Sequence, residues 1–163
     1  MLDEMINYKL VWRRLWSVKF TFDESDTLYL LINNKLSVPE RLFRIGLRNE
    51  PYCSHCPGLE ISDISHLFCS CVRTADAWLW LRGKLHEMSN ISQISDWDLL
   101  NLAFPVVRKE DVVVWVIGVY VNYAWQILMA KEEIVLLEKF FGFLTYKYKQ
   151  MKPSIGFVDW LEQ

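Results

Sequence analysis

All four cysteines of the chain fall between Cys53 and Cys71, and two of the three histidines, His55 and His66, lie inside that window. Cys53, Cys56, His66 and Cys71 follow the spacing C-x2-C-x9-H-x4-C. A C-x2-C pair closes a tight turn with both sulfurs facing one point. An H-x4-C pair on a helical turn and its end can supply two further donors. Zinc prefers such a tetrahedral set of sulfur and nitrogen, with Zn–S bonds of about 2.3 Å. Four protein donors leave no open position, so a metal held here is expected to be structural. Three thiolates and one neutral imidazole carry a charge of about −1 with the metal, which Arg48 or Arg73 could offset. Cys69 and His55 stay open as alternative donors. Cys69 gives H-x2-C, but a place in a short helix could turn it toward the core, so Cys71 is preferred. The competing reading is four ordinary buried thiols, since Cys is a common core residue. A redox role suits Cys53-Ser54-His55-Cys56 less well, because redox C-x-x-C pairs usually follow a strand in a βαβ unit and the pattern offers none.

The elements that must position these donors read as helices. Ile6, Leu10, Trp12, Leu15 and Trp16 give a helical spacing over Met5 to Phe20. Ser25-Asp26 is expected to cap a second helix from Thr27 to Leu36. Pro39 opens a short helix that ends at Gly46. Arg41, Arg44 and, beyond that end, Arg48 recur at i, i+3 and i+7, so they share a face if the helix persists. Residues 50–71 are polar, with Pro51 and Pro57-Gly58, and read as a loop held by something other than a core. Helical patterning returns at Val72, with Trp78, Leu81, Leu85 and Met88 on one stripe. Asp96 is expected to cap a short helix through Phe104, stopped by Pro105. Val112 to Ala130 is a 19-residue run without a formal charge, long enough for a membrane span. As the only such run, interrupted by Asn122 and Gln126, it is read as a buried core helix. Its Val-rich start leaves a strand open. Leu137, Phe140, Leu144, Tyr148 and Met151 mark another helix. Phe157, Trp160 and Leu161 suggest a short terminal one. The fold class expected is all-α: one mostly helical domain over 1–163 with an inserted CCHC zinc knuckle at 50–75.

Composition narrows the function. The chain has 163 residues, 52% of them hydrophobic and 23% charged, which excludes disorder for most of it. The net charge of −2 excludes a strongly basic nucleic-acid binder at whole-chain level, though not a local basic patch. The opening MLDEMINYKL carries no apolar run or cleavage site. An intracellular place, in nucleus or cytoplasm, is therefore expected, where thiols stay reduced.

Three stretches carry a family resemblance. WRRLWSVKF, LINNKLSVPERLFRIGLRNEPYCSHC and ISHLFCSCVRTADAWLWL resemble the zinc-binding region C-terminal to the reverse transcriptase of non-LTR retrotransposons. The match runs from Leu30 to Leu85 and to the upstream Trp segment; the last part of the chain is only loosely similar. The family's histidine and following cysteine are spaced as His66 and Cys71 are, which implies Cys53, Cys56, His66 and Cys71 as ligands of a structural Zn2+. The family often has an acidic residue just before the histidine. Here Glu60 lies six positions upstream and Asp63 three.

The polymerase's paired aspartates are absent from the sequence, and Asp96, Asp98, Asp111 and Glu133 form no nuclease motif. No catalysis is expected. The chain reads as a detached or domesticated piece of such an element. The resemblance implies contact with RNA or DNA. Arg41, Arg44, Arg48, Lys147 and Lys149 are the candidate phosphate contacts, with Tyr146 and Tyr148 placed to stack on bases. The bland reading of these residues is a solvated helix face, lysines complementing a helix dipole, and half-buried tyrosines. The alternative function is a helical protein-interaction module without nucleic-acid binding. A membrane partner is not expected.

Overall fold

In the computed structural model, residues 6–130 and 137–151 are described. The expected terminal helix with Phe157, Trp160 and Leu161 lies outside them. Seven α-helices order the described chain: α1 (Tyr8–Ser17), α2 (Phe22–Ile32), α3 (Pro39–Arg44), α4 (Ala75–Ser89), α5 (Asp96–Leu100), α6 (Glu110–Met129) and α7 (Leu137–Met151). Among the described residues there is no strand, only an isolated antiparallel bridge between Tyr52 and Ile61. The all-α expectation holds.

The core is built around α6. Every residue from Val113 to Asn122 is buried, and the helix packs against α1, α2, α4, α5 and α7. The run is helix throughout, not strand: it is too long for an ordinary strand, and a helix surrounded by partners can be apolar on all sides. It is long and apolar enough to cross a membrane, yet 67% of its most apolar window is buried inside the protein. At Gly118 the approach is so close that a Cβ would sit 2.3 Å from the Phe20 ring. The Trp78, Leu81, Leu85 and Met88 stripe of α4 is buried as expected. Trp78 lies 5.3 Å from Tyr120 of α6, ring centre to ring centre.

Two helix starts differ from expectation. α2 begins at Phe22, not at Thr27, because Thr21 and Glu24 form a reciprocal capping box. The Thr21 hydroxyl accepts from the Glu24 N–H at 3.3 Å, and the Glu24 carboxylate from the Thr21 N–H at 2.9 Å. Ser25 sits inside the helix, its hydroxyl donating back to the Thr21 and Phe22 carbonyls. Likewise Ser95, not Asp96, caps α5, accepting from the Asp98 N–H at 3.1 Å. Asp96 instead ties α5 to α4, taking the Trp78 indole N–H at 2.9 Å and Arg82 at 2.7 Å.

α5 also stops early, at Leu100 rather than Phe104, since Leu102 takes a left-handed φ of 55°. Arg14 holds that turn. Its guanidinium is buried, donates to the carbonyls of Leu102 (2.8 Å), Phe104 and Pro105 (3.1 Å), and pairs with Glu110. A buried charge is tolerable only when paired and hydrogen-bonded in this way.

Candidate metal centre

The chain from Gly46 to Asp63 buries only Cys53 and Ser62, so its order must come from directed bonds. Gly46 turns the chain out of α3 with φ +79°, a region open to Gly without steric cost. The two arms of a minimal hairpin then pair. The Cys53 N–H donates to the Glu60 carbonyl at 2.8 Å, and the Ser62 N–H to the Pro51 carbonyl at 2.9 Å. Gly58, at φ +87°, lies in the closing loop. This hairpin presents Cys53 and Cys56.

The other two donors come from a single π-helical turn, His66–Ser70. Five residues in an α-helix are about 1.4 turns, which would put His66 and Cys71 on different faces. The wider turn closes an i to i+5 bond instead, the Cys71 N–H donating to the His66 carbonyl at 2.7 Å. Cys71 thereby returns alongside the His66 ring. The turn is anchored to the core, since Leu67 and Phe68 are buried and the Tyr120 hydroxyl of α6 donates to the Phe68 carbonyl. Thr74 donates to the Leu67 carbonyl at 2.7 Å.

The structure brings together Cys53, Cys56, His66 and Cys71, whose ligand atoms all lie within 4.8 Å of one another. The Sγ atoms of Cys53 and Cys71 are 3.9 Å apart, and those of Cys56 and Cys71 3.8 Å. His66 Nε2 is 3.4 Å from Cys56 Sγ. A tetrahedron with Zn–S bonds of about 2.3 Å has edges of about 3.8 Å, so this donor set fits zinc. None of the cysteines is in a disulfide.

Electrostatics favour a thiolate at Cys53 and oppose one at Cys56. Burial pushes the Cys53 thiol up, but the His55 N–H, the His66 ring and Cys56 pull it further down, to about 6. Cys56 is raised to about 11, first by burial and then by its neighbouring thiols; the Val72 N–H, donating to its sulfur at 3.3 Å, opposes this. Cation binding overrides such repulsion, because a coordinating thiol is deprotonated by the metal's own charge. Cys69 is outside the group. Burial, then the Asp96 charge, pushes its thiol far up, as suits an inert core sulfur. His55 is also outside, exposed, with the Ser54 hydroxyl 3.1 Å from its Nδ1.

The candidate phosphate contacts have different surroundings. α3 ends at Arg44, so Arg48 does not share its face; the helix stops at the Ile45-Gly46 turn, and Arg48 reaches the Tyr52 carbonyl at 3.4 Å. Arg41 is half-buried, and exposed Arg44 lies 3.5 Å from Glu40. Lys147 is tied to the buried Glu24 at 2.8 Å, whereas Lys149 is exposed. Tyr148 is buried and Tyr146 exposed; only the latter offers a free ring face.

Sequence reasoning missed what Glu60 and Asp63 do. Asp63 accepts from the His66 backbone N–H at 2.8 Å, a capping contact its i, i+3 spacing could have indicated. Glu60 reaches the His66 ring, with its Oε2 3.2 Å from Nδ1.

The model of the family described as zinc-binding in reverse transcriptase matches residues 1–78. No curated protein and no solved structure matches the chain. The family match spans all four donors and ends at Trp78, the core residue of α4. Residues 1–78 are thus similar to the zinc-binding region of a retrotransposon reverse transcriptase, and within them Cys53, Cys56, His66 and Cys71 form a group that could hold a metal ion.

Proposed function

We propose that the chain is a non-catalytic domain, acting inside the cell, in which a structural zinc holds a surface helix for contact with RNA or DNA. The observation that carries this reading is the position of α3. None of its side chains is buried, and its Glu40 N–H donates to the Ser62 carbonyl of the metal-bearing hairpin at 3.1 Å. Buried Val38 anchors only its start, and the rest of the helix leans on the loop that the metal would order. The helix carries Arg41 and Arg44. The Glu40 partner of Arg44 is a surface pair worth about 1 kcal/mol or less, which a phosphate would displace. A four-donor zinc site leaves no position for substrate, which supports a structural rather than a catalytic role.

The test is fluorescence anisotropy with single-stranded RNA and DNA at low and physiological salt. Binding should weaken steeply as salt rises. The double variant Arg41→Glu, Arg44→Glu should lose about tenfold or more in affinity while its zinc content stays at that of the parent chain. Zinc-loaded, folded protein that binds neither oligonucleotide at low salt would end this reading. It would favour the second one, a protein-interaction module, which has its own support: Phe43, Ile45, Leu47, Leu59, Ile61 and Val72 are all exposed beside the metal loop.

A further inference from the structure

We propose that Glu60 is a positioning residue for the zinc: its carboxylate holds the His66 ring with Nδ1 protonated, so that Nε2 is the ligand atom. This inference rests on the zinc reading of the four-donor group. The two ring nitrogens of buried His66 face different surroundings. Nε2 lies 3.4 Å from Cys56 Sγ, inside the donor group. Nδ1 lies 3.2 Å from Glu60 Oε2 and 3.3 Å from the Ser70 hydroxyl. A histidine that ligates through one nitrogen must donate through the other, and a carboxylate acceptor both fixes the ring's orientation and makes the ligating nitrogen more basic.

The backbone places Glu60 for this task. Its carbonyl accepts from the Cys53 N–H at 2.8 Å, and the neighbouring Ile61 bridges to Tyr52. The hairpin that delivers the first sulfur therefore also delivers the carboxylate. The side chain remains 53% exposed, so water shares the cost of setting another negative charge beside the thiolates. Asp63 serves the same histidine by a separate route, binding its backbone N–H at 2.8 Å. One acid sets where the residue starts and the other sets how the ring turns. The six-residue offset of Glu60 from His66 conceals this link, because only the hairpin brings the two together.

The experiment measures the zinc affinity of the full chain at fixed pH by competition with a chromophoric chelator, for the parent, Glu60→Ala and Glu60→Gln. Nitrogen-15 spectra of the zinc-loaded parent report which ring nitrogen carries the proton. Glu60→Ala should lose roughly tenfold or more in zinc affinity, the range found for outer carboxylate partners. Glu60→Gln, whose amide oxygen still accepts, should recover most of it. The parent spectrum should show a protonated Nδ1. Parent-like affinity in Glu60→Ala, or no recovery in Glu60→Gln, would overturn the assignment, as would a spectrum with zinc on Nδ1. A parent chain that takes up no zinc would remove the metal reading and this one with it. That failure is seen in the parent, whereas failure of the Glu60 role alone is seen in the variants or the ring assignment.

Discussion

The segment from Gly46 to Thr74 and helix α6 reach order by opposite means. α6 buries ten consecutive residues, Val113 to Asn122, and each large apolar side chain fully removed from water contributes about 1.5–3 kcal/mol. The hairpin of the metal segment has Leu59 and Ile61 facing solvent and is held by hydrogen bonds and four converging donors. The two meet at one place, where Leu67 and Phe68 of the π turn enter the core and Tyr120 donates to the Phe68 carbonyl. Where side chains cannot exclude water, a metal can replace the core, and the stability of that region then follows the metal.

The largest effect should come from removing the metal. Structural zinc binds with about 10–16 kcal/mol of apparent free energy in small domains, and this becomes folding free energy. Cys56→Ser, or chelation of the parent chain, should lower the melting temperature by about 10 °C or more, which corresponds to several kcal/mol at this size. Hydrogen exchange should rise first over residues 46–74, while α6 amides stay protected. Equal loss of protection in both regions would erase the distinction between them.

Arg14→Ala tests the other side. It deletes the buried cation that holds the Leu102 and Phe104 carbonyls and leaves Glu110 without its partner. Breaking a buried pair in this way costs about 3–5 kcal/mol, read as a fall in the urea midpoint. Zinc affinity should stay within twofold of the parent's. A large drop in zinc affinity would mean the two regions are not energetically separate.

The smallest effect sharpens the junction. Tyr120→Phe removes a single buried hydroxyl donor to the π turn and should cost about 1–2 kcal/mol. Part of that cost should appear only in zinc-loaded protein, because the metal would fix both ends of a turn whose middle, Leu67 and Phe68, the core already holds. A double-mutant cycle with Cys56→Ser isolates the coupling. An identical Tyr120→Phe cost with and without zinc would show that the turn is ordered without the metal.

The donor set and the core helix were legible in the sequence because both are local patterns. Cys53, Cys56, His66 and Cys71 announce themselves by residue type and spacing, and α6 by its length and lack of charge. The caps were legible in principle but misassigned. Thr21 and Glu24 form the S/T-x-x-E pattern, and Ser25-Asp26 offers a competing cap by residue type alone. Arg48 shares the face of Arg41 and Arg44 only if the helix persists, and it ends at Arg44. What could not be read is contact made across the chain. Glu24 pairs with Lys147, and Arg14 with Glu110, at separations that no periodicity encodes. Both take charged residues out of the pool that a sequence would assign to ligands.

The π turn has one more consequence, for how this segment can vary. Its fit depends on a residue count as well as on the buried Leu67 and Phe68. Leu67 and Phe68 are held by the core, whereas exposed Ser70 can change chemically while the His66 to Cys71 bond survives. Deleting any one residue between them would restore the tighter α repeat and swing the last sulfur out of the cluster. The turn therefore tolerates a change at its exposed position better than a change in its length, the reverse of an ordinary surface loop.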